Sequence, residues 1–230
     1  MGCDIHIGIQ VQDESGSWRH VPWQRELYEH EREAGVKPAE GIPIAPEVFD
    51  NRNYDLFGIL ADVRNGVGFA GVKTGDSWPS IAPDRGLPED ADVKHVPDDP
   101  RYAEDGEPRY LGDHSFTWVS LDELKAFGWD SVARQQLGVV KADEYEKLSS
   151  VGDSPESYCS GITGPGVQVY SPESYQEARS SAALAEAPYV RMAWDESARS
   201  ATCDWPGQVI PWLESLAAGR PLRLLMGFDS

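Results

Sequence analysis

The chain begins with MGCDIHIGIQVQ at residues 1–12, and apolar and polar residues alternate along it from Cys3 onwards. Alternation with period two, carried largely by isoleucine and valine, predicts a β-strand with one buried face. Asp4 and His6 are two residues apart, so their side chains leave the polar face about 6–7 Å from each other along the strand. A carboxylate and an imidazole side by side on a strand make Asp4 and His6 the first candidates for a functional site.

The composition predicts one domain, residues 1–230, because 40% hydrophobic residues with eight tryptophans are ample for a packed core. Twenty Lys and Arg residues against 39 Asp and Glu residues give a net charge of −19, which repels nucleic acid and anionic membranes. No apolar stretch reaches membrane-spanning length, and the cysteines Cys3, Cys159 and Cys203 are scattered, as is typical of reduced thiols. We therefore expect a cytoplasmic protein without nucleic-acid or membrane partners.

The remaining periodicity predicts an α+β fold. Residues 53–63 carry apolar side chains at helical spacing, and Asn53 can cap that helix. Near the C-terminus, the strand-like residues 189–195 and 222–228 flank a helical segment. We expect a single mixed, mostly antiparallel sheet with flanking helices and long loops, in which the N- and C-terminal strands are neighbours. One face of that sheet would carry a polar set of residues, namely Asp4, His6, Arg191, Arg223 and Asp229.

A long loop, rich first in glycine and then in proline and acidic residues, is predicted at about residues 66–113. Loops of this length are commonly lids or binding loops, so we expect Thr74 to Pro108 to be the most mobile or most extended region. Trp78 lies in this loop and could stack on a base or ring. Arg85 lies in the constrained turn PDRGLP, residues 83–88, and is the best-placed arginine for binding an anion.

His114 begins a predicted strand directly after this loop, where catalytic groups are commonly displayed. His6 and His114 would form an acid–base pair beside Asp4, because imidazole titrates near neutral pH. A divalent metal bound by Asp4 and His6 with Asp113 and His114 is an open alternative, and the sequence determines no cofactor. The candidate anion-binding arginines, which would hold a small anionic ligand, are Arg64, Arg85, Arg191 and Arg223.

Several stretches together resemble a group of phage and prophage proteins that has no established activity. They are MGCDIH at 1–6, YDLF at 54–57 with VRN at 63–65, DRGLP at 84–88, DHSFTW at 113–118 and GFDS at 227–230. The resemblance implies a phage-encoded protein of the host cytoplasm. It implies no catalytic residue, because no activity is attached to the group.

Two functions of different classes fit these residues. The first is a small hydrolase acting on a nucleotide or other phosphate ester, with Asp4, His6 and His114 as catalytic groups and arginines holding the anion. The second is a non-catalytic acidic protein that captures a host defence protein or a small signalling molecule, which would suit a counter-defence role. Convergence of His6 and His114 on one point favours the hydrolase, and burial of both in the core favours the binding protein.

Overall fold

The computed structural model describes residues 2–91, 111–151, 154–155 and 157–229, and these residues form an α+β fold with two β-sheets. The strands are β1 (Asp4–Gln12), β2 (Trp18–Val21), β3 (His114–Ser120), β4 (Ala133–Lys141), β5 (Val167–Tyr170), β6 (Ala187–Ser197) and β7 (Leu222–Asp229). The helices are α1 (Glu29–Glu33), α2 (Tyr54–Ala61), α3 (Leu121–Ala126), α4 (Ala142–Val151), α5 (Pro172–Ser180), α6 (Ala198–Ala201) and α7 (Trp205–Ala217).

The first sheet confirms that the N- and C-terminal strands are neighbours. Its strand order is β2-β1-β7-β3, and every neighbouring pair is antiparallel. Along the central pair, Asp4 lies opposite Asp229 and His6 lies opposite Gly227. Residues opposite each other share a face of the sheet, so Asp4, His6 and Asp229 are on the same side.

The prediction of a single sheet was wrong, because β6 pairs with β4 and not with the terminal strands. β4, β6 and β5 form a separate three-stranded sheet, antiparallel between β4 and β6 and parallel between β5 and β6. Both outer edges of the β1–β7 pair are already occupied, by β2 and by β3. Arg191 lies on β6 and is therefore absent from the face that carries Asp4 and His6.

The main core lies between the first sheet and the helices α2 and α7. Ile5, Ile7 and Ile9 of β1 are at most 5% exposed, which confirms the face predicted from the alternation. Phe57 of α2 and Trp205 of α7 are fully buried in the same cluster. Burial of each such side chain contributes about 1.5–3 kcal/mol, so this layer anchors the strand that carries Asp4 and His6.

The beginning of the predicted long loop is packed against α2. Trp78 is 3% exposed, and its ring nitrogen donates to a carboxylate oxygen of Asp55 at 3.0 Å. The Ile81 amide donates to the carbonyl oxygen of Ile59 at 2.7 Å, and the next amide to that of Leu60. Thr74 to Pro108 was expected to be mobile or extended, but this segment is packed against α2 as far as Ala82. Its part at 92–108 lies outside the described residues.

A buried arginine joins the two sheets. Arg134 on β4 donates to the carboxylate of Asp55 on α2, and to the carbonyl oxygen of Asp76 at 2.7 Å. Its side chain is 2% exposed, and the Trp78 ring centroid lies 4.7 Å from its guanidinium carbon. A charge so far removed from water depends strongly on its partner. Asp55 therefore connects the second sheet to the helical layer of the first.

We expect Gly227→Ala to lower the free energy of unfolding by about 1–3 kcal/mol, because a Cβ there would overlap the carbonyl oxygen of Leu111. Urea unfolding of the variant measures this loss. Gly161→Ala is the control, since a Cβ at Gly161 meets nothing within 4 Å. If both variants unfolded at the wild-type midpoint, the close approach of Leu111 to β7 would be contradicted.

Candidate functional site

Asp4 and His6 lie at the end of the first sheet, and each is held by a different partner. The guanidinium of Arg52 donates to both carboxylate oxygens of Asp4, each at 2.6 Å. His6 Nε2 lies 3.1 Å from Oδ2 of Asp229, and Oδ1 of Asp229 accepts from the Asp4 amide at 3.2 Å. The sequence prediction that Asp4 and His6 leave one face is confirmed, and Asp229 connects them.

His114 faces the opposite side of the sheet. It lies opposite Phe228 in the register between β3 and β7, and the two rings stack with centroids 6.4 Å apart. Phe228 belongs to the core face, whereas His6 lies opposite Gly227, one residue earlier on β7. A shift of one residue along a strand moves a side chain to the other face. The structure therefore does not bring His6 and His114 together across a shared face.

A pocket of about 470 Å³ brings His114 together with Arg64. It lies between the C-terminal end of α2, the turn at residues 83–84 and the start of β3. Its described lining consists of Ala61, Asp62, Val63, Arg64, Pro83, Asp84, His114 and Ser115. Nδ1 of His114 lies 2.9 Å from the hydroxyl oxygen of Ser115, which orients the imidazole. We call this site the His114 pocket.

The backbone of the His114 pocket is unusually strained. Four of its lining residues have positive φ angles, namely Asp62 (62°), Arg64 (54°), Asp84 (48°) and Ser115 (53°). Asp62 ends α2 in the left-handed conformation common after helices, which accounts for that residue alone. Asp84 is of a residue type that adopts this region occasionally, whereas Arg64 and Ser115 each cost about 1–2 kcal/mol there. Strain of this kind clusters where surrounding structure holds functional groups in place.

Contacts beneath the pocket position Arg64. Its guanidinium carbon lies 5.7 Å from the centroid of the Tyr54 ring, and the Tyr54 hydroxyl accepts from the Cys3 amide at 3.3 Å. Cys3 is 1% exposed, as predicted for the apolar face of β1. Burial raises the pKa of the Cys3 thiol above its ordinary value, although the nearby guanidinium of Arg64 opposes the rise. Cys3 is therefore a neutral thiol that supports the arginine.

The other predicted ligand-binding residues lie elsewhere, and three of them have partners within the chain. Arg85 pairs with Glu123 at 2.7 Å. Arg223 is buried, donating to Gln10 at 2.8 Å, with its guanidinium carbon 4.1 Å from the Trp18 ring centroid. Trp78 is inside the core and does not present its ring to solvent. These three contacts are of the kind that stabilise a fold, and Arg191 lies in the second sheet.

Sequence reasoning missed Asp62, Asp84 and Ser115 as lining residues. Asp62 lay within the helix predicted at residues 53–63 and had no signal of its own, whereas Asp84 had the weak signal of the Pro- and Gly-flanked turn around Arg85. Ser115 had no signal beyond adjoining His114. For the metal alternative, the described residues contain no group of three or more His, Cys, Asp or Glu side chains that could hold an ion.

Comparison of the chain with models of known protein families, with curated proteins and with solved structures finds no match. Among the described residues, none of the helices is both long and apolar enough to span a membrane. The resemblance to phage proteins stays a prediction. A functional proposal therefore depends on the geometry of the His114 pocket.

The Asp4–Arg52 pair is expected to make stability pH-dependent in acid. Hydrogen bonds from Arg52 hold the folded pKa of Asp4 below its ordinary value of 3.8. The stabilisation is therefore present above pH 3.8 and is lost as the pH falls through the lowered pKa. It is small, because the Asp4 side chain is 49% exposed. Urea midpoints of wild type and Asp4→Asn should differ at about pH 6 and converge near about pH 2; a difference independent of pH would contradict this.

Proposed function

We propose that the protein is a small hydrolase that acts on a nucleotide or other phosphate ester in the His114 pocket. The observation that supports the proposal most strongly is the presence of a guanidinium and a hydroxyl-oriented imidazole in one strained concave site. Arg64 would bind the phosphoryl oxygens through paired N–H donors. His114 would transfer the proton, the role that histidine fills most often in general acid–base catalysis.

The proposed reaction is hydrolysis of a phosphodiester by water. The water oxygen forms a bond to phosphorus while the bond from phosphorus to the leaving ester oxygen breaks. His114 takes one proton from the attacking water and returns it to the leaving oxygen. The products are a phosphate monoester and an alcohol, and no proton is gained or lost by the enzyme over the cycle.

Ser115 would select the tautomer of His114 that this reaction needs. When Nδ1–H donates to the Ser115 hydroxyl oxygen, Nε2 carries the lone pair that accepts the proton from water. The 2.9 Å contact thus makes Ser115 a positioning residue. Once Nε2 has taken the proton, His114 is an imidazolium whose Nδ1–H still donates to Ser115, so the same orientation serves when Nε2–H protonates the leaving oxygen.

The two aspartates of the lining favour a ligand with donor groups besides its phosphate. Asp62 and Asp84 would repel a bare phosphate ion, but their carboxylates can accept hydrogen bonds from hydroxyl or amino groups. A nucleotide carries both kinds of group. The pocket volume of about 470 Å³ lies within the range of about 300–1,000 Å³ typical of small-molecule sites.

Arg64→Gln tests the anion contact, with adenosine monophosphate as a product-like probe in calorimetric titrations. Loss of a charged hydrogen-bond donor should weaken binding by roughly tenfold or more. Arg32→Gln is the control, since Arg32 is an exposed residue of α1 outside the described lining. Equal affinity of wild type and Arg64→Gln, or an equal loss in Arg32→Gln, would refute the assigned contact.

Non-catalytic capture of the same ligand class is the second candidate. It is favoured because Asp4 and His6 do not belong to the described lining and so add no catalytic group to the pocket. Arg52 holds Asp4, and Asp229 holds His6. Tight binding of adenosine monophosphate, without turnover of bis(4-nitrophenyl) phosphate, would select this candidate. A phage-encoded protein of the host cytoplasm could use either activity in counter-defence, which we propose only by association.

A further inference from the structure

A second pocket, of about 260 Å³, is built on the three-stranded sheet. β4 and β6 supply apolar lining from Leu137, Met192 and Ala193. The polar groups of its described lining are the cations Lys73 and Arg191 and the hydroxyl of Ser160. These residues come from elements that contribute nothing to the His114 pocket, so the two sites are separate.

The charge of this pocket reverses that of the chain. The sequence has 39 acidic against 20 basic residues, about two to one. The described lining nevertheless holds two basic residues and no acidic one. The His114 pocket, by contrast, combines Arg64 with two aspartates. A concave site lined by one sign of charge concentrates ligands of the opposite sign, so this pocket favours an anion.

The cations of the pocket are available for a ligand. Arg191 is exposed on β6, and among the described residues its side chain has no ion-pair partner. Lys73 approaches Asp76 only at 3.7 Å, and both side chains are about two-thirds exposed, at 66% and 68%. An exposed pair at that distance contributes little. Lys73 can therefore turn to a ligand without a large loss.

Aromatic side chains fix the sheet at the pocket. A Cβ at Gly138, which also lines the pocket, would lie 2.8 Å from the Trp194 ring and 2.9 Å from the Tyr158 ring. Those two rings pack edge to face, with centroids 4.8 Å apart. Gly138 therefore allows close packing of the pair against β4, and the apolar wall of the pocket has a rigid support.

We infer that this second pocket binds a small organic anion, a carboxylate attached to a short apolar body. The planar guanidinium of Arg191 can hold a carboxylate with two parallel hydrogen bonds, and Lys73 and Ser160 add donors. Leu137, Met192 and Ala193 provide apolar contact for the body of the ligand. The volume of about 260 Å³ is below that of sites for drug-sized molecules. This binding activity goes beyond the proposed hydrolase and does not depend on it.

The experiment is a fluorine NMR titration of the full chain with 4-fluorobenzoate. Arg191→Gln should weaken binding roughly tenfold, through loss of a charged bidentate donor. Ala193→Leu leaves the charge of the pocket unchanged. The larger leucine side chain should fill the apolar part of the pocket and abolish binding of 4-fluorobenzoate. Lys141→Gln removes a cation at the end of β4 outside the described lining and should leave affinity unchanged.

Two competitors and a further variant separate the possible outcomes. Benzamide, which lacks the charge, and acetate, which lacks the apolar body, should each fail to displace 4-fluorobenzoate. Arg64→Gln should bind the probe like wild type, which makes the result independent of the His114 pocket. Unchanged affinity in Arg191→Gln and Ala193→Leu would overturn the inference, as would a loss that occurs in Arg64→Gln or Lys141→Gln instead.

Discussion

Replacing His114 with asparagine is expected to lower hydrolysis of bis(4-nitrophenyl) phosphate by about 10²–10⁴-fold, the usual contribution of a general acid–base group. Asparagine keeps a polar side chain beside Ser115 but has no group that titrates near neutral pH. The fall should appear in kcat, because Arg64 continues to hold the phosphate. Initial rates of purified wild-type and variant proteins measure it.

His30→Asn is the matched control for this variant. His30 is exposed on α1, where its ring stacks on that of Tyr28, and it lies outside the described lining of the pocket. It should retain wild-type activity. Unfolding midpoints of both variants should stay near that of wild type, since neither imidazole is fully buried. Undiminished turnover by His114→Asn would exclude His114 as the proton-transfer group.

Asp55→Ala is expected to lower the free energy of unfolding by about 3–5 kcal/mol, the usual cost of leaving a buried charge unpaired. Arg134 would lose its carboxylate partner while its side chain is only 2% exposed, and the Trp78 ring nitrogen would lose its acceptor. Nε of Arg134 already has no hydrogen-bond partner among the described residues. Urea unfolding followed by tryptophan fluorescence measures the loss.

Two further variants identify the cause. Asp130→Ala removes a carboxylate that is 75% exposed and pairs with Arg199, so its midpoint should stay close to that of wild type. Adding Arg134→Met to Asp55→Ala removes the unpaired charge and should restore part of the lost stability. If Asp55→Ala unfolded like Asp130→Ala, the buried pair would not be what joins the two sheets.

The elements predicted correctly are those specified by local pattern. β1 shows its alternation within nine residues, and α2 shows helical spacing together with its cap at Asn53, whose side chain accepts from the Leu56 amide. The pairing of β6 could not be predicted in this way. β6 has an alternating pattern that fits either sheet, and its partner depends on β2 and β3 having filled the edges of the first one.

The candidate site was predicted in part, for a similar reason. That Asp4 and His6 share a face follows from two-residue spacing on one strand. The side on which His114 lies depends on its register against Phe228, and the register of β3 shifts between His114 and Thr117. Arg85 looked available because Glu123, its partner, is remote in sequence. Arg64 was one of four candidate arginines, ranked behind Arg85, until the fold placed it beside His114.

The position of a bound nucleotide tests the proposed function most directly. Backbone amide chemical shifts of the full chain should be recorded during titration with adenosine monophosphate. The largest changes should occur at the amides of residues 61–64, 84 and 114–115, which line the His114 pocket. In Arg64→Gln the same changes should require roughly tenfold more nucleotide. Changes centred on other residues, or none at saturating nucleotide, would contradict a phosphate-ester site at His114.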